Sequence, residues 1–178
     1  VQFNYLLANA SFVRLSEVIE LGVTFDAKLE FVPHIENIVS SATKSLGFLI
    51  RNCKAFSNTC TLKTLYFTLV RSKLEYASIV WNPCYATHSS ALENVQRKFL
   101  KYLAFKLDGV YPRRGANHAT LLTRFDIQPL NLRRDSFGLK FLYKLVHNEI
   151  DSANLLSKLN FYVPKQSSRR CRTDYQNM

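Results

Sequence analysis

Apolar residues change their spacing once along this chain, and that change limits the folds open to it. Before Asp26 they alternate loosely; from Ile35 onward they recur every three to four residues. Ile35, Ile38, Val39, Ala42, Leu46, Leu49 and Ile50 fall within one sector of a helical wheel, with Lys44 opposite and Pro33 suited to the first turn. The pattern predicts a mainly α fold, a helical bundle preceded by two or three short strands. Gln2–Leu7 and Phe12–Leu15 read as brief extended runs around a turn at Asn9-Ala10-Ser11. Glu20–Asp26 reads as a further strand, with Leu21, Val23 and Phe25 on one face. So few strands are marginal alone in water, so they are expected to complete the edge of a sheet lying upstream.

The helices differ in how much surface they bury. Leu62, Leu65, Tyr66 and Leu69 form one face of a helix starting within Ser57–Thr61, and Phe67 and Val70 widen it into that of a central helix. Leu74–Pro83 reads as its buried end, stopped by Asn82-Pro83; it holds the only Trp, and the hydroxyls of Tyr66 and Tyr76, if buried, need partners. Ser89–Leu103 is the most cleanly divided: Leu92, Val95, Phe99, Tyr102 and Leu103 on one side, Arg97, Lys98 and Lys101 on the other. After a loop with Arg113-Arg114, a short helix is expected over Asn117–Thr123, then a long one from an Asn131 cap to about His147. There Phe137, Phe141, Leu142 and Leu145 are expected to face inward, with Arg133, Lys140 and Lys144 as a second basic stripe. The expected organisation is a strand segment at 1–30, helical domains at 31–104 and 105–164, and a flexible basic tail at 165–178.

The net charge of +11 is unevenly placed: residues 1–50 carry −2, residues 51–110 carry +6 and residues 111–178 carry +7. Such a division fits a surface that faces a polyanion. The candidate phosphate contacts are Arg97, Lys98, Lys101, Arg113, Arg114, Arg133, Lys140 and Lys144. Phe105 and Tyr111 can either stack on bases or pack in the core. Cys53, Cys60, Cys84 and Cys171 lack disulfide or zinc spacing, and no apolar run is long enough to span a bilayer. An intracellular, non-secreted protein of the nucleus or cytoplasm, with no membrane partner, is expected. No nucleophile elbow, phosphate-binding glycine loop, HExxH or Asp-Asp pair is present. Asp26 reads as a turn or cap residue and His34 as a capping or packing one. The only Met is Met178, so a piece of a longer or processed product is expected.

Several stretches, in order, give a family resemblance. Leu21-Gly-Val-Thr-Phe-Asp26, Leu29, Phe31, His34-Ile35, Leu46-Gly-Phe48 and Arg51 open it. Thr61-Leu-Lys-Thr-Leu-Tyr66, Leu69-Val-Arg71, Leu74-Glu-Tyr-Ala-Ser78, Val80-Trp81 and Pro83 continue it. Val95-Gln-Arg-Lys-Phe99, Pro129-Leu130 and Leu132-Arg-Arg134 close it. Together they resemble the region after the catalytic palm in the reverse transcriptases of non-LTR (LINE-type, jockey-like) retrotransposons. The resemblance implies a thumb-like region and its C-terminal continuation, gripping an RNA–DNA hybrid or duplex template–primer. It implies no catalysis by this chain itself: fingers and palm would be its partners, and Mg2+ would belong to the missing palm, leaving no cofactor here. Two other readings remain open, a basic helical module that binds an acidic protein and a decayed retroelement relic without function.

Overall fold

A computed structural model describes residues 6–7, 10–11, 15–113, 115 and 117–159 of the chain. The first strand run is described only over Leu6–Leu7; residues 12–14 of the second, and the tail from Lys165, lie outside the described residues. The chain divides into two compact units, Val1–Phe141 and Leu142–Met178. It is mainly helical, with short antiparallel hairpins ahead of the helices. No helix among the described residues is long and apolar enough to cross a membrane.

In the first unit, Leu6–Leu7 (β1) pairs with Ala10–Ser11 (β2), and Glu17–Glu20 (β3) pairs with Val23–Asp26 (β4). Glu20 stands opposite Val23, so the run expected as one strand is folded back on itself. Leu21 (φ 48°) and Gly22 (φ 81°) form the two-residue turn. Left-handed angles at both central positions match the right-handed twist of a hairpin. The Tyr76 hydroxyl holds this turn by donating to the Leu21 carbonyl at 2.9 Å. Leu21 is 84% exposed, away from the buried Val23, which corrects its expected place on a shared face. Asp26 takes its expected turn role: its carboxylate accepts from the backbone N–H groups of Lys28, Glu30 and Phe31, the last at 2.7 Å.

Val32–Asn52 (α1) then buries Ile35, Ala42, Leu46 and Leu49, with Pro33 in its first turn. His34 packs as expected, its Nδ1 accepting from the Thr24 N–H at 3.2 Å. Thr59–Tyr66 (α2), capped by Asn58, runs through a wider π turn at Phe67–Arg71 into Ser72–Glu75 (α3). Leu62, Tyr66, Val70 and Leu74 are all fully buried, although residues four apart on an α-helix drift by about 40° per step. The π turn holds more residues per revolution and rotates the last of them back toward the core. Leu69 is turned out, 41% exposed, so the apolar sector is narrower than the sequence suggested.

The chain breaks at Ala77, whose left-handed φ of 51° costs an L-residue about 1–2 kcal/mol. Trp81, at the end of Ser78–Trp81 (α4), holds that corner by donating from Nε1 to the Tyr76 carbonyl at 2.7 Å. Its ring is 1% exposed and meets His34 edge-on, centroids 5.5 Å apart. Tyr76 itself is 56% exposed rather than buried. Ala86–Asp108 (α5) buries Leu92, Val95, Phe99, Tyr102 and Leu103, and ends at Gly109 in a left-handed cap.

His118–Phe125 (α6) is capped by Asn117, which accepts from the Ala119 N–H at 3.0 Å. Leu130–Val146 (α7) begins one residue before the expected Asn131 cap. Instead, Glu93 of α5 accepts from the Asn131 N–H at 2.9 Å; a carboxylate there also suits the helix dipole. In the first unit's part of α7, Leu130 and Arg134 are buried, and Phe137 and Phe141 half-buried.

The second unit holds the end of α7 and Ala153–Leu156 (α8). Leu145 is buried; Leu142, expected inward, is 41% exposed.

Replacing Trp81 by Ala removes a fully enclosed ring and the bond that holds the Ala77 corner. It is expected to destabilise the fold by about 3–5 kcal/mol, read from a denaturant melt. An unchanged midpoint contradicts the burial.

Candidate nucleic-acid interface

The basic face of α5 is set by its apolar one. Residues 97 and 101 lie one turn apart and 98 lies beside them, opposite the Leu92–Phe99–Leu103 face. Arg97 and Lys98 are exposed and Lys101 is half-buried. Arg113 is exposed in the following loop, and Arg114 lies outside the described residues. Phe105 and Tyr111, at the same end of α5, are 41% and 55% exposed with ring centroids 6.2 Å apart.

The second stripe does not stay together. Arg133 turns inward to a two-pronged pair with Glu75, Nη2 to Oε2 at 3.0 Å, and lies over the Phe137 ring at 5.3 Å. Those hydrogen bonds raise its pKa, so its charge is held and largely answered inside the protein. Glu75 also faces Arg71 at 3.8 Å, whose guanidinium lies 3.6 Å over Phe67. Lys140 stays exposed on α7. Lys144 belongs to the second unit and faces Glu149 at 3.9 Å, an exposed pair of small energetic weight.

Arg97 also lines a cleft of about 500 Å³ with Ser89, Ser90, Glu93, His118 and Asn131. Glu93 Oε2 stands 3.6 Å from His118 Nε2. That oxygen and both ring nitrogens of His118 are buried without hydrogen-bond partners. Burial first, then the charge of Arg97, holds His118 below its usual pKa, against the opposing pull of Glu93. Behind the cleft wall, Arg134 is 3% exposed and donates from Nε to Asn82 Oδ1 at 3.1 Å and from Nη2 to Ser89 Oγ at 3.0 Å. Its Nη1 has no partner, and burial lowers its pKa while Glu93 works the other way. The sequence carried one signal for this cleft: Glu93 stands four residues before Arg97, on the same side of one helix.

Among the described residues no three His, Cys, Asp or Glu side chains come together as a metal set. Compared with known proteins, the chain matches no family model, no curated protein and no solved structure.

Burial also depresses the pKa of His34. A histidine harder to protonate folded than unfolded adds stability that is complete above about pH 6.5 and is lost as pH falls toward the folded pKa. Denaturant midpoints are therefore expected to drop between pH 7.5 and pH 5.5, and less steeply in a His118→Gln variant. The depressed carboxylates Asp26 and Asp108 titrate below that window. A midpoint that holds or rises on acidification contradicts the assignment.

Proposed function

We propose that this chain is the thumb-like and C-terminal part of a non-LTR retrotransposon reverse transcriptase, and that it grips a template–primer duplex through its phosphates. The observation that carries the reading is the division of α5, where Arg97 and Lys98 face solvent behind a fully buried apolar face. Phosphate contacts of this kind give affinity without base selectivity, as a duplex of changing sequence requires. Lys101, Arg113 and Lys140 extend the basic surface of the first unit. Arg133, tied to Glu75, serves by holding α7 to α3. The ordered family-like stretches, from Leu21-Gly-Val-Thr-Phe-Asp26 to Leu132-Arg-Arg134, supply the second support. In this reading the chemistry, and the Mg2+ it needs, belong to fingers and palm outside this sequence. All four residues of β3 are exposed, Ile19 at 73%, which suits a hairpin that meets that upstream sheet.

A salt titration of binding to an RNA–DNA hybrid tests the reading. Changing Arg97, Lys98 and Lys101 together to Ala is expected to flatten the slope of log affinity against log salt by up to about three. An unchanged slope sinks the assignment.

A further inference from the structure

We propose that the cleft between the N-terminal half of α5 and the starts of α6 and α7 is a phosphate-binding pocket, in which Arg97, His118 and the hydroxyls of Ser89 and Ser90 hold one phosphoryl group. The proposal deepens the duplex reading and rests on it for the source of the phosphate, a nucleic-acid strand; free phosphate carries the same chemistry.

Charge favours an anion here. One oxygen of Glu93 is taken by the Asn131 N–H, and Arg134 stands within electrostatic reach of the same carboxylate. Among the lining side chains Arg97 offsets Glu93, so the cleft is neutral with His118 neutral and carries one positive charge with His118 protonated; Arg134, behind the wall, is itself faced by Glu93, Asp135 and Glu75. A guanidinium and an imidazole beside a single lining carboxylate, one oxygen of which is already engaged, disfavour a cation. The start of α6 at His118 and of α7 at Leu130 add partial positive charge to the same cleft.

Unmet hydrogen bonding points the same way. Both His118 ring nitrogens and Glu93 Oε2 are buried in the cleft without partners, although such groups cost about 1–3 kcal/mol when left unmade; a protonated His118 answers Glu93 Oε2 and leaves one donor unmet. At 97% burial Arg134 is anchored to Ser89, a residue of the cleft wall, and holds that hydroxyl from behind. A protonated His118 has two N–H donors. One faces Glu93 Oε2 at 3.6 Å, and the other is free for a phosphate oxygen. The groups that face this ring are Glu93 and Arg97 of α5, with Arg134 of α7 beyond Ser89. A bound dianion reverses the balance that Arg97 and burial impose, so anion and proton bind together.

The test is the NMR titration of the imidazole signals of the full chain in sulfate, whose charge does not change near neutrality, against chloride of equal ionic strength. Saturating sulfate is expected to shift the His118 titration upward by about one unit or more, while the signal of the exposed His147 responds alike to sulfate and chloride. The response should vanish in Arg97→Gln, a change at an exposed position, while an unaltered His34 signal reports that the variant is folded. A His118 titration identical in sulfate and chloride overturns the pocket. Competition then identifies the source. A 5′-phosphorylated strand that displaces sulfate better than its unphosphorylated twin supports a strand end, and equal displacement supports a backbone phosphate. No displacement by either overturns the link to nucleic acid and leaves free phosphate. A sulfate response without hybrid binding defeats the duplex reading alone; hybrid binding without a sulfate response defeats the pocket alone.

Discussion

Tyr66 and Gln96 set the orientation of the basic helix. The Tyr66 hydroxyl donates to Gln96 Oε1 at 3.1 Å, and Gln96 Nε2 donates to the Gln128 carbonyl at 3.0 Å, with both side chains fully buried. The Tyr66 ring stacks on Phe99 with centroids 4.0 Å apart, so a polar and an aromatic contact fix α5 against α2 together. Burial drives the Tyr66 phenol well above its ordinary pKa and keeps it a donor. A buried amide tolerates no other rotation of its helix, because its partners would be lost in a medium without water to replace them. Arg97, the next residue, is thereby committed to the outer side. The same chain of bonds reaches Gln128, just ahead of α7, and so helps to place the cleft at the start of that helix.

Three acids of the basic part of the chain hold its architecture. Glu75 holds Arg133 and Arg71, Asp108 holds Arg124 at 2.6 Å, and Glu93 caps α7. Some cations are also used internally. Lys63 donates to the Phe125 carbonyl at the end of α6, where a positive charge suits the helix dipole, and Lys106 donates to the Lys54 carbonyl. Arg97 and Lys98 are absent from this internal accounting among the described residues, which is why α5 rather than the whole basic surface carries the proposal.

Elements governed by local sequence were legible. The single apolar sectors of α1 and α5 set both their helicity and their buried faces, and Asn58 caps α2 within its expected start at Ser57–Thr61, whereas Asn117, expected as the first residue of its helix, is the cap of α6. Long-range partners hid the rest. Leu21 lacks the Gly or Asn signature of a left-handed turn position, and the hydroxyl that holds its carbonyl comes from Tyr76, 55 residues away. The start of α7 was displaced because its cap comes from Glu93, 38 residues earlier, not from Asn131. Arg133 shares its helical stripe with Lys140, yet its charge is answered by Glu75 on another helix. The exposure of Arg97 and Lys98 followed from wheel geometry, whereas the Glu93–His118–Asn131 cleft is assembled from three helices and has no one-dimensional trace beyond the Glu93/Arg97 spacing.

In the proposed reading, one face of the first unit, led by the outer side of α5, meets a duplex backbone. Lysine acetylation in the presence and absence of an RNA–DNA hybrid tests it most directly. Lys98 is expected to be shielded by the hybrid, while Lys28 and Lys44, exposed on the β4–α1 turn and on α1, react as in the free protein. Equal shielding of all three, or none at Lys98 under conditions where the hybrid is bound, would contradict it.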